Sequence, residues 1–223
     1  MANISENGSE AILEIMERYN FNPKGIVHVG ANAGWEYLAY CKTMASLVLY
    51  IEPIPELFVK LKKNIEHLPG HIPIQAVCSD LDGEYIQFNV SSNDGLSSSI
   101  LPLGNHAKLH PSIKYTNQFG MYTTKLDTLL ERERIGYGDV DYLVIDVQGA
   151  ELKVLVGSRK LLESVKFLVL EVSDFALYEG GCTLEDLKSF LNPLGFELAE
   201  HFLQGQPGSR VGDALFVKSS IIV

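Results

Sequence analysis

The chain has 223 residues, of which 46% are hydrophobic and 21% are charged, and this composition is typical of one globular domain with a single hydrophobic core. Its formal net charge of −10 argues against an extended nucleic-acid surface or an anionic membrane partner, because both need clustered Lys and Arg. Small cationic or neutral partners are expected instead.

The three cysteines are widely spaced and form no Cys-x-x-Cys pair, so the sequence predicts neither a disulfide framework nor a metal site. The first ten residues lack the basic and apolar regions of a secretory signal, and no apolar run reaches transmembrane length. We therefore expect a cytoplasmic protein.

Residues 1–22 are predicted to form an N-terminal helical extension. Apolar runs of strand length then follow at 25–29, 47–51, 72–77, 141–147 and 167–172. Such continuous runs are typical of strands that are buried on both faces, as in a parallel sheet. Segments with the three- and four-residue apolar spacing of helices lie between them, at 36–44, 55–68 and 150–163. This alternation predicts right-handed βαβ units and a doubly wound sheet.

The pattern changes after Cys78. Residues 84–90 alternate like a half-buried strand, and residues 121–136 predict a strand followed by a helix. Residues 91–119, between them, are predicted to be an insertion across a rim of the sheet that serves as a substrate loop. The remaining residues predict a helix and an antiparallel pair of strands. Because no linker divides the chain, residues 1–223 are predicted to form one domain.

The turn after the first predicted strand contains Gly30, Ala31, Asn32 and Gly34. In open α/β sheets this turn brings backbone amides close to the ligand, so we expect these four residues to contact a cofactor. A dinucleotide fingerprint would need glycine at Asn32 and Trp35, and no phosphate-binding P-loop motif occurs anywhere in the chain. The turn is therefore unsuited to a pyrophosphate.

Glu52 ends the second predicted strand, 22 positions after Gly30. A carboxylate near this spacing reaches the ribose hydroxyls of a nucleotide in related sheets. A nucleoside without phosphate fits both features, and the positive sulfonium of S-adenosylmethionine suits an acidic cleft. We therefore predict S-adenosylmethionine as the cofactor, with Glu52 and the adjacent Pro53 at its ribose.

Five segments occur in an order and spacing that match a known family: HVGANAGWE, YIEPIPELFVKLKKN, AVCSD, TTKLDTLL and YLVIDVQGAELKVLVGS. On these segments, residues 25 to 200 resemble the FkbM family of S-adenosylmethionine-dependent methyltransferases. The resemblance implies a class I methyltransferase fold, which is Rossmann-like and doubly wound, with a mostly parallel seven-stranded sheet whose last strand is antiparallel. It also implies O-methylation of a hydroxyl, often on a sugar or a polyketide-like product.

Two carboxylates are candidates for catalysis. Asp146 lies inside an apolar strand, where an Asp must be paired or lie at the strand end, and such residues are more often functional than structural in this architecture. Glu171 ends the next predicted strand of the sheet. We predict that Asp146 takes the hydroxyl proton or orients the group that does, and that Glu171 contacts the acceptor.

Several further residues have two interpretations. Ser79 and Asp80 follow the third strand, where this fold meets the adenine ring, but Ser and Asp also cap turns routinely. His28 is interpreted chiefly as a core histidine that lines the cofactor pocket. His106 and His110, in the insertion, are interpreted as part of a solvated loop, with a catalytic base as the alternative.

Two other functions stay open on the sequence alone. A nicotinamide-dependent oxidoreductase would need a pyrophosphate turn, which the chain lacks. A nucleoside-binding module with the same fold and no catalysis is compatible with the same motifs, and only turnover of the methyl donor separates it from an enzyme.

Overall fold

The structure, a computed structural model, describes residues 11–221. Its strands are β1 (Gly25–Val29), β2 (Leu47–Ile51), β3 (His71–Ile74), β4 (Val77–Cys78), β5 (Tyr85–Ser91), β6 (Tyr115–Thr124), β7 (Tyr142–Ile145), β8 (Phe167–Ser173), β9 (Phe196–Gln204) and β10 (Val211–Lys218). Its helices are α1 (Ala11–Tyr19), α2 (Tyr37–Tyr40), α3 (Pro55–Ile65), α4 (His106–Leu109), α5 (Leu126–Arg132), α6 (Glu151–Val156), α7 (Leu161–Ser164) and α8 (Leu184–Leu191). Short 3-10 turns lie at Tyr137–Asp139 and Asn192–Leu194.

Seven strands form the main sheet, in the order β3-β2-β1-β7-β8-β10-β9. Neighbouring strands are parallel except that β10 runs antiparallel to both β8 and β9. The predicted doubly wound, mostly parallel sheet with an antiparallel C-terminal strand is therefore confirmed. Of the predicted N-terminal extension, α1 is described, whereas residues 1–10 lie outside the described residues.

The central strands are buried on both faces, as their apolar sequences predict. On β1, Val27 and Val29 pack into one core with residues of α5, α6 and α8. Ile26 packs on the opposite face with Ile12 of α1 and Leu61 of α3. Because side chains alternate along a strand, these two cores hold the sheet between two layers of helices.

A second sheet has three strands in the order β4-β6-β5. The prediction of one strand over 72–77 is wrong, because the chain leaves the main sheet after Ile74 and its next strand pairs with β6, at Val77 opposite Thr123. Strands β5 and β6 form an antiparallel hairpin. Because β6 begins at Tyr115, the last residues of the predicted insertion 91–119 belong to that strand, and the connecting loop runs from 92 to 114.

The predicted helix over 150–163 is divided into α6 and α7. Gly157 ends α6, where a Cβ would collide with the carbonyl oxygen of Ser79. Only a glycine allows this close approach between the helix end and the residue after β4. Within residues 11–221, no helix combines the length and the apolar character that crossing a bilayer requires.

Candidate active site

The bend after β1 depends on glycine. Gly30 has a left-handed backbone, with φ of +86°, and a Cβ at this position would collide with the carbonyl oxygen of Asp146. Gly34 has a φ of +74°, and a Cβ there would collide with a side-chain methyl of Leu61 in α3. The glycines therefore bring the end of β1 against the end of β7 and against α3.

All five backbone amides of the bend donate hydrogen bonds within the protein. The amides of residues 30 and 31 donate to the carbonyl of Ile51, at 2.9 and 3.0 Å, and that of Gly34 donates to the carbonyl of residue 31 at 2.7 Å. Ala33 donates to Oδ1 of Asn32 at 2.6 Å, and Asn32 itself donates to Glu52. The expectation that these amides face a ligand is therefore not met. The bend instead offers a ligand the bare backbone of Gly30 and the side chain of Asn32.

Glu52 lies at the end of β2, and only 4% of its surface is exposed. Its Oε2 accepts the amide of Asn32 and its Oε1 accepts the amide of Ile54, both at 2.8 Å. Burial raises the pKa of Glu52 to about 7, although the two amide hydrogen bonds favour the charged form. Since a carboxylate has about four lone-pair positions, each oxygen retains the capacity to accept one more hydroxyl.

A cavity of about 630 Å³ opens beside this carboxylate. It brings together five of the residues predicted from the sequence: Gly30, Asn32, Glu52, Pro53 and Asp146. Its other walls are mainly apolar and include Ile54, Val77, Cys78, Phe88, Leu96 and Ile100. An apolar cavity with a few convergent polar groups is the usual form of a small-molecule site.

Five other predicted cofactor contacts do not line this cavity. His28 is buried on the other face of β1, with its Nδ1 3.2 Å from the hydroxyl of Tyr40, and burial lowers its pKa. Ala31 packs into the core beside α1, and Gly34 lies against α3. His28 is thus the core histidine of the first interpretation, and its predicted place in the pocket lining is not observed.

Ser79 and Asp80 are also directed away from the cavity. The hydroxyl of Ser79 donates to Oδ1 of Asp80 at 2.9 Å, and Nζ of Lys153 lies 3.2 Å from the same oxygen. Cys78, one residue earlier, contributes to the cavity wall in their place. The cause is the pairing of β4 with β6, which the sequence did not reveal and which sets the direction of the chain after Cys78.

The turn after β7 carries the catalytic candidates and is held by a buried carboxylate. Gln148 and Gly149 both have left-handed backbones, with φ of +57° and +96°. Oε1 of Glu151, which is 2% exposed, accepts the amides of Val147 and Gly149, each at 3.1 Å. Gln148 lies between these two amides, so the turn fixes the direction of its side chain.

Gln148 connects both predicted catalytic carboxyl groups. Its Nε2 donates to Oδ1 of Asp146 at 2.8 Å and to Oε2 of Glu171 at 2.6 Å. Its Oε1 accepts the hydroxyl of Tyr178 at 2.5 Å. Asp146 follows β7, Glu171 lies near the carboxyl end of β8, and Tyr178 comes from the loop after β8. The predicted proximity of Asp146 and Glu171 is therefore observed, with Gln148 between them.

The two carboxyl groups differ in how strongly they hold a proton. Both lie at the sheet edge, where Asp146 is exposed and Glu171 is half-buried, and the surrounding protein displaces part of their water. This desolvation raises the pKa of Asp146 to about 7, and the hydrogen bond from Gln148 opposes the rise. Desolvation and then the charge of Asp146 raise the pKa of Glu171 well above its ordinary value. At neutral pH, Asp146 is therefore the more readily ionised member of the pair.

The long loop 92–114 forms a second wall of the site and is anchored to it. The hydroxyl of Ser99 donates to the carbonyl of Gln148 at 2.8 Å, and the amide of His106 donates to the carbonyl of Leu177 at 2.9 Å. His106 is buried, with 4% of its surface exposed, whereas His110 is exposed. The interpretation of both histidines as solvated is thus wrong for His106, because the loop folds back onto residues near Tyr178.

The residues around the cavity fit S-adenosylmethionine. Glu52 offers two acceptor positions to the two hydroxyls of a ribose, and the apolar walls beside Ile54 and Phe88 suit a planar base. Asp146, which lines the same cavity, supplies the negative charge that a sulfonium favours.

This strand order, with a glycine bend after β1 and a carboxylate at the end of β2, defines a class I S-adenosylmethionine-dependent methyltransferase. A family model described as the methyltransferase FkbM domain matches residues 28–198. The chain belongs to this family. The predicted family, fold and cofactor are thereby confirmed, and the oxidoreductase and the non-catalytic binding module are set aside.

Two relatives have curated names. The 2-O-methyltransferase NoeI of Sinorhizobium fredii is 28% identical over 190 residues, which are 82% of this chain and 76% of the relative. The hexuronic acid methyltransferase AglP of Haloferax volcanii is 30% identical over 145 residues, which are 65% of this chain and 54% of the relative. The chain thus matches about half the length of AglP and about three quarters of NoeI.

Solved structures share the fold at low sequence identity. Magnesium protoporphyrin IX methyltransferase (ChlM) from Synechocystis PCC 6803 with bound SAH has a TM-score of 0.52 at 10% identity, and the match covers 94% of this chain and 80% of that chain. The same enzyme with bound SAM has a TM-score of 0.51 at 9% identity, with 95% and 79% covered.

Proposed function

We propose that this methyltransferase transfers the methyl group of S-adenosylmethionine to a hydroxyl oxygen of a sugar. The observation that carries the proposal is the junction of two clefts at Gln148, which borders the cofactor cavity on one side and a groove with polar side chains on the other. The names of NoeI and AglP, a 2-O-methyltransferase and a hexuronic acid methyltransferase, support a sugar hydroxyl as the acceptor. They give no support to a polyketide-like acceptor.

Three residues are proposed to hold the cofactor. Glu52 accepts hydrogen bonds from the ribose hydroxyls, and Pro53 and Asn32 border the same part of the cavity. When bound, S-adenosylmethionine supplies an electrophilic methyl group on a positively charged sulfur. The protein contributes orientation, and correct positioning of reactants contributes about 7–11 kcal/mol in well-oriented systems.

Asp146 is the proposed base. A general base is most effective when its pKa lies near the working pH, and desolvation raises the pKa of Asp146 to about 7. Gln148 holds Oδ1 of Asp146, so Oδ2 is the oxygen that receives the hydroxyl proton. As the acceptor oxygen would form its bond to the methyl carbon, the carbon–sulfur bond would break with its electron pair left on sulfur, and S-adenosylhomocysteine would leave. The hydroxyl proton would pass to Asp146, whose charge is neutralised in the same step.

Glu171 is the proposed acceptor contact. Its pKa is raised well above the ordinary value, so its protonated form, which donates a hydrogen bond that an ionised carboxylate cannot, persists to higher pH than that of a free carboxyl group. A pair of carboxyl groups whose surroundings separate their pKa values is a recurrent arrangement for distinct acid and base roles. The cytoplasmic location and the absence of nucleic-acid and membrane partners are kept as predictions from the sequence.

The test is release of S-adenosylhomocysteine. The purified protein is incubated with S-adenosylmethionine and a panel of methyl glycosides and short oligosaccharides, and a methylated sugar is sought by mass spectrometry. We expect product release that depends on the sugar, together with a mass gain of one methylene group on the sugar. Binding of the cofactor without turnover of any sugar, while a non-sugar hydroxyl is methylated, would contradict the proposed acceptor class.

A further inference from the structure

A buried ring nitrogen beside the groove at Gln148 has no partner. Among residues 11–221, Nδ1 of His106 is one of the few enclosed side-chain polar atoms without a hydrogen bond. The imidazole lies against the rings of His110 and Tyr178, with centroids 5.0 and 5.3 Å away. Buried polar atoms are nearly always hydrogen-bonded in native proteins, so an unpaired one points to a ligand or water that completes it.

His106 lies in the groove on the far side of Gln148 from the cofactor. This groove encloses about 610 Å³, and its polar lining consists of Asn93, Ser97, His106, His110, Gln148 and Glu171. Leu177 and Val211 contribute apolar surface to the same groove. Neutral hydrogen-bonding groups beside small apolar surfaces suit a ligand that has several hydroxyls and apolar ring faces.

The charges around the groove favour an uncharged ligand. Asp213 lies opposite Glu171 in the register of β10 and β8, so the groove approaches a carboxyl-rich end of the sheet. In the described part of the chain no Lys or Arg lines the groove, and Arg210, next to its rim, is paired with Asp174 at 2.9 Å. The first ten residues contain no Lys or Arg. A sugar carboxylate would therefore lose water in this groove without a cation to balance its charge.

Building on the proposed function, we propose that this groove binds the acceptor as an uncharged sugar and that His106 accepts a hydrogen bond from one of its hydroxyls. Burial, and then the neighbouring His110, lower the pKa of His106, so that its imidazole is neutral and has one acceptor nitrogen. A half turn of the ring about its Cβ–Cγ bond exchanges nitrogen and carbon positions, and we infer that the ring adopts the orientation that presents an acceptor nitrogen to the sugar. The acceptor proposed for this chain therefore differs from the hexuronic acid in the name of AglP, which carries a carboxylate.

The first experiment compares matched sugars. Methyl glucoside and methyl glucuronoside differ only at C6, and further pairs of neutral glycosides and uronates are made in the same way. We expect the neutral member of each productive pair to have a kcat/KM at least about tenfold higher, because the uronate leaves a charge unpaired. Equal or better use of the uronate would overturn the proposal while leaving sugar methylation intact.

The second experiment replaces the imidazole. His106→Phe retains an aromatic ring against Tyr178 and removes the acceptor, whereas His106→Gln retains an acceptor. We expect His106→Phe to raise the KM for the sugar about tenfold or more, with the dissociation constant of S-adenosylhomocysteine unchanged, because one hydrogen bond to a ligand is lost. His106→Gln should recover part of this loss. The exposed His67, after α3, provides the matched control His67→Phe.

The outcomes are distinct. An unchanged sugar KM in His106→Phe would show that His106 serves packing alone and would overturn the contact. If that variant does not fold, as judged by circular dichroism and cofactor binding, His106→Leu, which also lacks an acceptor, decides: a sugar KM that rises while cofactor binding is retained supports the contact, and an unchanged KM overturns it. Failure of the wild-type protein to methylate any sugar contradicts the proposed function instead.

Discussion

The backbone amide of Asn32 donates a 2.8 Å hydrogen bond to Oε2 of Glu52, which joins the bend after β1 to the end of β2. The amide of Ile54 holds the other carboxylate oxygen at the same distance. This arrangement fixes both oxygens of Glu52 before any ligand binds. A binding group that is already positioned loses little conformational entropy when the ligand arrives.

Replacing Glu52 by Gln tests its proposed role. A glutamine places an NH2 group against the amide of either Asn32 or Ile54 and removes the charge, so the ribose hydroxyls lose their acceptor. We expect the dissociation constant of S-adenosylhomocysteine, measured by calorimetry, to rise about 10- to 100-fold, since hydrogen bonds to charged groups contribute about 1.5–3 kcal/mol. Glu56→Gln, on the exposed side of α3, is the control. Unchanged affinity in a folded Glu52→Gln variant would refute the assignment.

Cofactor affinity should depend on pH through the same residue. Burial raises the pKa of Glu52 to about 7, and the ionised form accepts hydroxyls at both oxygens, whereas the protonated form is a weaker acceptor with an O–H of its own. Binding below that pKa therefore requires loss of a proton, and the dissociation constant should rise about tenfold between pH 8 and pH 6. Calorimetry at several pH values measures this change. In Glu52→Gln the corresponding part of the pH dependence should be absent, and an identical profile in both proteins would count against the prediction.

Asp146→Asn tests the proposed base. The asparagine retains an oxygen that accepts from Gln148 but cannot take up the hydroxyl proton. We expect kcat to fall by about 10²–10⁴-fold, which is the usual contribution of general base catalysis, with little change in the affinity for S-adenosylhomocysteine, which lacks the sulfonium charge. Single-turnover measurement of methyl transfer separates this effect from product release. Full turnover in Asp146→Asn with normal cofactor binding would show that the base lies elsewhere.

Gln148→Met should move the pH dependence of turnover. Both hydrogen bonds from Nε2 of Gln148 favour the ionised forms of Asp146 and Glu171, so their loss raises the pKa of each group. We expect the acidic limb of the pH profile of kcat to shift to higher pH and the plateau to fall. Gln206→Met, in the exposed loop between β9 and β10, is the matched control. A reduced plateau with an unshifted limb would mean that Gln148 only orients the two groups.

Gly30→Ala should destabilise the protein more than Gly83→Ala. Both glycines have left-handed backbones, which cost other residues roughly 1–2 kcal/mol, but a Cβ at Gly83 meets no atom within 4 Å. At Gly30 the same Cβ collides with the carbonyl of Asp146. The difference between the two variants in the free energy of unfolding, from urea denaturation, therefore measures the steric contact alone. Equal losses would show that the bend adjusts without cost.

The sequence predicted the parts of the site that depend on local pattern. Strands β1 and β2 have the predicted bounds because continuous apolar runs between turn residues define a doubly buried strand. The spacing of Gly30 and Glu52 then predicted their proximity, because parallel neighbouring strands place their carboxyl ends at one edge of the sheet.

The rest depended on contacts between distant residues. Nothing near Cys78 in the sequence shows that β4 pairs with β6, which turns Ser79 and Asp80 away from the cavity. The burial of His106 depends on a ring contact with Tyr178, 72 positions later. Periodicity cannot reveal such contacts, because they are set by how the long loop folds over the completed sheet.

The position of Gln148 has a thermodynamic consequence. Its side chain borders both clefts, so a ligand that shifts it from either side alters the surface offered to the other ligand. If methyl donor and acceptor communicate through this amide, the factor by which donor occupancy changes acceptor affinity must equal the factor in the reverse direction. Because the same side chain separates the two clefts, one coupling free energy describes how donor binding and acceptor binding affect each other.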